Sequence, residues 1–452
     1  MGVNRRTFLQ TLGLTTAGLS LPGTWLPRAR AAEDGPLRRF IFCYFSGGWD
    51  TLLCLDPRDP SVFTEADSAI TRIYPAYEQI SADFTRQVIT PNLQDYPHMT
   101  FGPAAEDFGM AHYDKACVIR GISMNTLTHE VGRRYFITGK EPQGLRANGS
   151  SLGTRIVSAQ GDLKAIPNLV SRVEAYNDGD PTYASALSVN GVESLIAVLD
   201  DGPNAPTAVV RSALSRYREN VAHCDPAFYD RRGFLGLIDA SQLKARELVE
   251  AGLGDRFRFN NQGDPEIAEL RERYGITNLQ SPGAQAALAY QAIRYDIAQS
   301  ITIELASGLD THDENWATDH PDALRDGFRA LSQLVTDLET TPSEDGGSLL
   351  DHTTILCFSE FGRTALLNSR GGRDHSLTSS AVMVGAGVPA GTVVGETSNE
   401  GMNGYLVDPT TGLRAEQGEL LTPTRIHASI LEQAGYDASS LRETGMACLK
   451  SS

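Results

Sequence analysis

The sequence predicts an α/β protein whose central sheet is largely parallel and flanked by helices. Three observations predict it. Apolar runs recur along the chain without strict polar alternation, as in strands buried on both faces. Stretches with helical spacing lie between them, so strand and helix alternate over most of the length. The runs also tend to stop at glycine, an acid or histidine, where open α/β sheets gather their ligands.

The elements follow in order. Residues 38–46 (RRFIFCYFS) read as a buried strand ending in Gly47-Gly48-Trp49-Asp50. Residues 116–122 (ACVIRGI) read as a second strand, leading through Asn125, Thr126 and Thr128 into a helix over His129–Thr138. A helix starts at 151–158 and a short strand occupies 168–172. The segment at about 200–280 is polar, with helical stretches near 237–252 and 265–273, and suits an insertion or cap. Residues 283–298 are helical, and 300–307 (SITIELAS) form a strand that runs on to Asp310-Thr311-His312. Residues 321–339 are amphipathic, with Ala323, Phe328, Leu331, Leu334, Val335 and Leu338 on or near one face. A loop at 341–348 precedes a strand at 353–359 that ends at Glu360, and 380–384 is one more strand. A closing helix at 424–434 has Thr422 as its cap and Pro423 at its start.

The first 31 residues are read as a leader. Arg5-Arg6 precedes an apolar, glycine-rich stretch from Thr11 to Leu26, closed by Ala29-Arg30-Ala31. That is the layout of a twin-arginine export signal, an address read by export machinery that carries proteins already folded. The stretch is short for a membrane span and contains Pro22. The expectation is a single domain over 32–452, periplasmic or extracellular and not membrane-spanning. Without the leader's four arginines, 35 of the 39 basic residues remain against 56 acidic ones, a net charge of −21. Such acidity argues against nucleic-acid or anionic-membrane partners. No Cys-x-x-Cys pair occurs among the six cysteines, so neither a zinc ribbon nor a thiol redox site is expected, and no disulfide is assigned.

The chemistry-bearing residues fall at the strand ends: Asp50, Thr128 and His129, Asp310 and His312, Glu360, and Asp374-His375 in a glycine-rich loop. Residues two apart in an extended segment share a side, so Asp310 and His312 can grip one cation together. Carboxylate oxygens and imidazole nitrogens suit zinc, manganese or another divalent ion. An acid after a strand is also a common helix cap, and Asp-His pairs recur at 319–320 and 351–352, so the reading rests on the set and not on any one member.

Together with the leader, four segments resemble the exported bacterial family called domain of unknown function 1501: Phe45–Asp50, Leu309–His312, Phe358–Thr364 and Gly371–His375. That family is grouped with the alkaline phosphatase-like superfamily of phosphatases and sulfatases. The resemblance implies that fold, and a divalent ion (zinc, manganese, calcium or magnesium) held by Asp50, Asp310, His312, Glu360, Asp374 and His375. It also places Thr128 as nucleophile, with His129 beside it, at a helix N-terminus suited to an anion. Arg133, Arg134 and Arg363 could clamp phosphate or sulfate.

The chain departs from the superfamily at two points. Only Thr311 separates Asp310 from His312, and Phe361 stands where a histidine ligand is expected. Glu130, His129, Arg133 and His320 are the residues available to complete the set. The implied function is an exported metal-dependent hydrolase of a phosphate or sulfate ester on a small molecule or polymer. The alternative is a non-catalytic extracytoplasmic binding or assembly protein with an incomplete metal site.

Overall fold

The computed structural model describes residues 37–161, 164–200 and 252–451, with a few positions between 207 and 249. The leader, Cys224 and most of the expected insertion at 200–280 lie outside the described residues. Residues Asp34–Ser452 form one compact unit. Among the described residues no helix is long and apolar enough to cross a membrane.

In chain order the elements are β1 (Arg39–Phe45), α1 (Ser68–Thr71), α2 (Glu106–His112), β2 (Ala116–Ser123), α3 (His129–Thr138), α4 (Leu152–Gln160), β3 (Asn168–Ser171), β4 (Leu187–Val189) and α5 (Val192–Leu199). There follow α6 (Pro265–Arg273), α7 (Pro282–Arg294), β5 (Ser300–Ala306), α8 (Trp316–Thr340), β6 (Thr353–Phe358), β7 (Gly362–Arg363), β8 (His375–Ser376), β9 (Thr378–Gly385), β10 (Thr392–Val394) and α9 (Pro423–Gln433). Among the described residues eight strands form one sheet in the order β10-β2-β9-β6-β1-β5-β3-β4. Only β9 runs against its neighbours, β2 and β6. The expected, largely parallel α/β sheet is therefore present.

The sequence gives no hint of β9's direction. It is nearly as fully buried as the parallel strands, so burial cannot distinguish it. The chain from β6 to β9 returns over the same end of the sheet, through β7 and β8, without a crossover helix, and such a return yields an antiparallel partner. Helix α8 begins at Trp316, ahead of the expected 321, and runs through Pro321. Buried Trp316 and His320 secure that extra turn against the core, overriding the tendency of proline to end a helix.

Alternation along β1 assembles a core on each face. Ile41, Cys43 and Phe45 pack with Leu288 and Ile293 of α7 and with Phe328 and Leu331 of α8. Phe40, Phe42 and Tyr44 pack with Phe136 of α3, Ile156 of α4 and Ile430 of α9. Each large side chain so buried stabilises the fold by about 1.5–3 kcal/mol. Cys43 and Cys357 are register partners on β1 and β6, both buried and free. With both faces covered, the open ground is the carboxyl end of β1, β5 and β6.

Candidate metal centre at the strand ends

The loop after β1 and the loop after β5 meet first. Leu309 N donates to Ser46 O at 3.2 Å. Gly47 adopts φ +117, and a Cβ there would lie 2.7 Å from Asp310 N, so only glycine permits this approach. Below the second loop, buried His320 braces both: Thr311 Oγ1 meets its Nδ1 at 2.8 Å, and Asp50 N donates to its Nε2 at 2.9 Å. Thr311 is thus turned into the core, while Asp310 and His312 face outward together.

Three imidazoles converge on one carboxylate oxygen. The Nε2 atoms of His129, His312 and His375 lie 3.2, 3.0 and 3.2 Å from Asp310 Oδ1. Each ring is held from behind through Nδ1. His129 Nδ1 meets Glu360 Oε1 at 2.8 Å, His312 Nδ1 meets Asp374 Oδ1 at 3.0 Å, and His375 Nδ1 meets the Leu127 carbonyl at 2.6 Å. Those partners accept only, so each Nδ1 carries a proton, and each Nε2 faces inward, as a donor when the ring is protonated and as a lone pair when it is neutral. His312 Nε2 and His375 Nε2 lie 3.0 Å apart. Lone pairs that close repel unless a proton or a cation lies among them. Among the described residues His129 Nε2, although 3.2 Å from Asp310 Oδ1, makes no hydrogen bond.

The supports are themselves fixed. Glu360 is buried, with Oε1 also accepting from Gly47 N at 2.9 Å and Oε2 from Ser359 Oγ at 3.0 Å. Helix α3 approaches Glu360 closely because residue 132 is glycine: a Cβ there would lie 2.3 Å from the Glu360 carbonyl oxygen. Asn368 Nδ2 donates to Asp374 Oδ1 at 3.0 Å. The Phe361 ring, fully buried, packs 4.8 Å from the His129 ring and 4.4 Å from the His375 ring, closing one side with an apolar wall.

The charges follow from the contacts. Burial favours protonation of Asp310, but hydrogen bonds from Arg363 and His375 overcome it and hold the carboxyl far below the usual range. Burial likewise opposes ionisation of Glu360, and the His129 hydrogen bond reverses this, keeping it ionised. The His312 hydrogen bond depresses Asp374. Burial lowers His129, yet its bond to Glu360 and the charges of Glu360 and Asp310 raise it above its ordinary value. Burial pushes His375 down. His129, Asp310 and His375 each offer an atom to one common point, all within 4.8 Å of one another.

The structure brings together His129, Asp310, His312 and His375 as facing groups, with Glu360 and Asp374 behind two of the rings. It does not bring in Asp50. That carboxylate is buried, with Oδ2 meeting Arg373 Nε at 2.8 Å and Trp316 Nε1 at 2.9 Å, and Oδ1 accepting from Leu52 N at 3.0 Å. Arg373, remote in sequence and fully buried, carries no signal that would mark it as this partner. Thr128 is exposed at the N-terminus of α3, next to His129, and its side chain does not cap the helix. Arg133 and Arg134 pair with Glu174 at 2.8 and 3.4 Å. Arg363 spends its donors within the protein, on the carbonyls of Gly47, Gly48 and Arg373 and on Asp310. The Leu127 carbonyl behind His375 is a backbone group and leaves no trace in sequence.

A parallel α/β sheet with imidazoles and carboxylates across its carboxyl end defines an α/β protein with a candidate metal centre at the strand ends. The family model described as Protein of unknown function (DUF1501) matches residues 239–445 of the chain. The match includes Asp310, His312, Glu360, Asp374 and His375 and stops short of His129. No curated protein matches the chain. Among solved structures it is similar to Ps i-CgsB in complex with k-i-k-neocarrahexaose, at 10% identity and TM-score 0.37, covering 92% of this chain and 76% of that one. It is also similar to the PsFucS1 sulfatase from Pseudoalteromonas sp., at 11% identity and TM-score 0.35, covering 92% and 74%. The alkaline phosphatase from the Antarctic bacterium TAB5 aligns at 10% identity and TM-score 0.28, covering 78% and 93%.

Proposed function

We propose that the protein is a divalent-metal-dependent hydrolase of a phosphate or sulfate ester, exported through the leader at 1–31 by the twin-arginine machinery to the periplasm or exterior. The observation that carries the reading is the convergence of three Nε2 atoms on Asp310 Oδ1, each ring held behind by an acceptor. Acceptors behind ligating histidines fix ring and tautomer in metal sites. His129, Asp310 and His375 would hold the ion, with His312 beside them and Glu360 and Asp374 as orienting partners. A divalent ion held there supplies Lewis-acid charge at an anionic ester oxygen.

The chain's own residues supply the rest. The free N–H groups of the first turn of α3 face an incoming anion. Thr128 Oγ1 attacks phosphorus or sulfur, its proton leaves with the departing alcohol, and water then cleaves the threonyl ester to restore the hydroxyl. The Phe361 ring keeps water from the back of the cluster.

The test is hydrolysis of 4-nitrophenyl phosphate, bis(4-nitrophenyl) phosphate and 4-nitrophenyl sulfate by the mature chain with zinc, manganese, calcium or magnesium. Turnover lost in a folded Thr128→Ala variant is expected. A metal-loaded protein that cleaves none of them sinks the hydrolase reading. The second reading, a binding or assembly protein, then stands. It is favoured by Asp50 being locked under Arg373 and by an aromatic carbon ring at 361.

A further inference from the structure

We infer that the centre holds one divalent ion and not two, because the Arg363 guanidinium takes the place and the charge of a second. The inference rests on the metal-centre reading above. Arg363 is fully buried. Nε donates to Gly48 O at 2.9 Å, Nη1 to Arg373 O at 3.1 Å, and Nη2 to the Gly47 carbonyl. This clamp aims the remaining corners of the fork outward. Nη2 lies 2.6 Å from Asp310 Oδ1, and Nη1 lies 3.4 Å from His312 Nε2. The guanidinium therefore lies against both Asp310 and His312 and keeps a second ion from that pair. A group held by three backbone carbonyls cannot swing aside without losing them.

Charge points the same way. Asp310, Glu360 and Asp374 contribute three negative charges and Arg363 one positive, since a guanidinium stays charged. One divalent ion neutralises the remainder. A second would leave a net charge of two positives in a cluster walled on one side by the Phe361 ring, and packed directly against the fixed cation. Arg363 is thus a positioning residue. It orients Asp310 toward His129 and His375 and limits the centre to a single ion.

The test is stoichiometry. Chelator-stripped mature protein is titrated with cobalt(II) by absorbance, and zinc retained after dialysis is measured by plasma mass spectrometry. One equivalent per chain is expected, and two equivalents in the wild-type protein overturn the inference. No retained ion removes the metal-centre reading itself, a separate failure. Arg363→Gln, which vacates the fork's charge, is expected to take a second equivalent, whereas Arg363→Lys stays at one. A folded Arg363→Gln that still saturates at one equivalent also overturns the role given to Arg363. The wild-type count decides if that variant does not fold.

Discussion

Replacing Glu360 by glutamine isolates what the buried carboxylate does for His129. The amide fits the site: its oxygen can stay at the Oε1 position, accepting from Gly47 N (2.9 Å) and His129 Nδ1 (2.8 Å). Its NH2 then faces Ser359 Oγ, 3.0 Å away, which can accept. Shape and hydrogen bonds survive, and only the negative charge is lost. Two consequences follow. The metal-free variant loses the charge that raises His129 despite burial, so its imidazole gives up its proton at lower pH than in the parent. The neutral ring also becomes a poorer donor to a cation, and orienting partners of this kind are worth about 10- to 100-fold in affinity. That corresponds to about 1.4–2.7 kcal/mol. Calorimetric titration of stripped protein with zinc at pH 7 measures it, with a melting curve to show the variant is folded. An affinity within twofold of the parent in a folded Glu360→Gln would refute the argument that Glu360 supports a ligand.

Other predictions follow from the same contacts. Gly132→Ala places a methyl 2.3 Å from the Glu360 carbonyl oxygen, so α3 must shift. A loss of about 1–3 kcal/mol in denaturant unfolding, together with weaker zinc binding, is expected, and an unchanged midpoint would contradict it. Burial holds His427 down to about 3, against its ordinary 6.5. The unfolded chain therefore takes up that proton first, and stability falls as pH drops below about 6.5, levelling near 3, by up to about 1.4 kcal/mol per pH unit. Unfolding free energies of His427→Gln should show a shallower slope in that window, and a parallel curve would rule the residue out as a source.

Much of the fold was legible because burial on both faces writes itself as unbroken apolar runs. RFIFCYF, SITIELA and TTILCF are strands with nearly the expected ends. The helix at His129–Thr138 has the expected limits, and its closure at Gly139 is written in the sequence as well, a left-handed cap that glycine supplies without strain. The direction of β9 was illegible because it depends on the return path of a loop and not on composition. The site was legible as a set of strand-end residues. Their roles were not, since role depends on side-chain direction. Glu360 and Asp374 reach the outer nitrogens of His129 and His312, and Asp50 turns inward to Arg373. His129 stands beside Thr128 and is one of four residues that the sequence offers to complete the ligand set. What puts it in the cluster is the packing of α3 against Glu360 through Gly132, which no spacing rule expresses.

The central claim is that His129, Asp310 and His375 share a cation. The most direct measurement is anomalous scattering from a crystal of the zinc-loaded mature protein, recorded on both sides of the zinc edge. The account predicts one zinc peak at about 2.0–2.3 Å from His129 Nε2, His375 Nε2 and an Asp310 oxygen. Rings that stay gathered around Asp310 with no peak between them, or a zinc peak elsewhere on the chain, would contradict it.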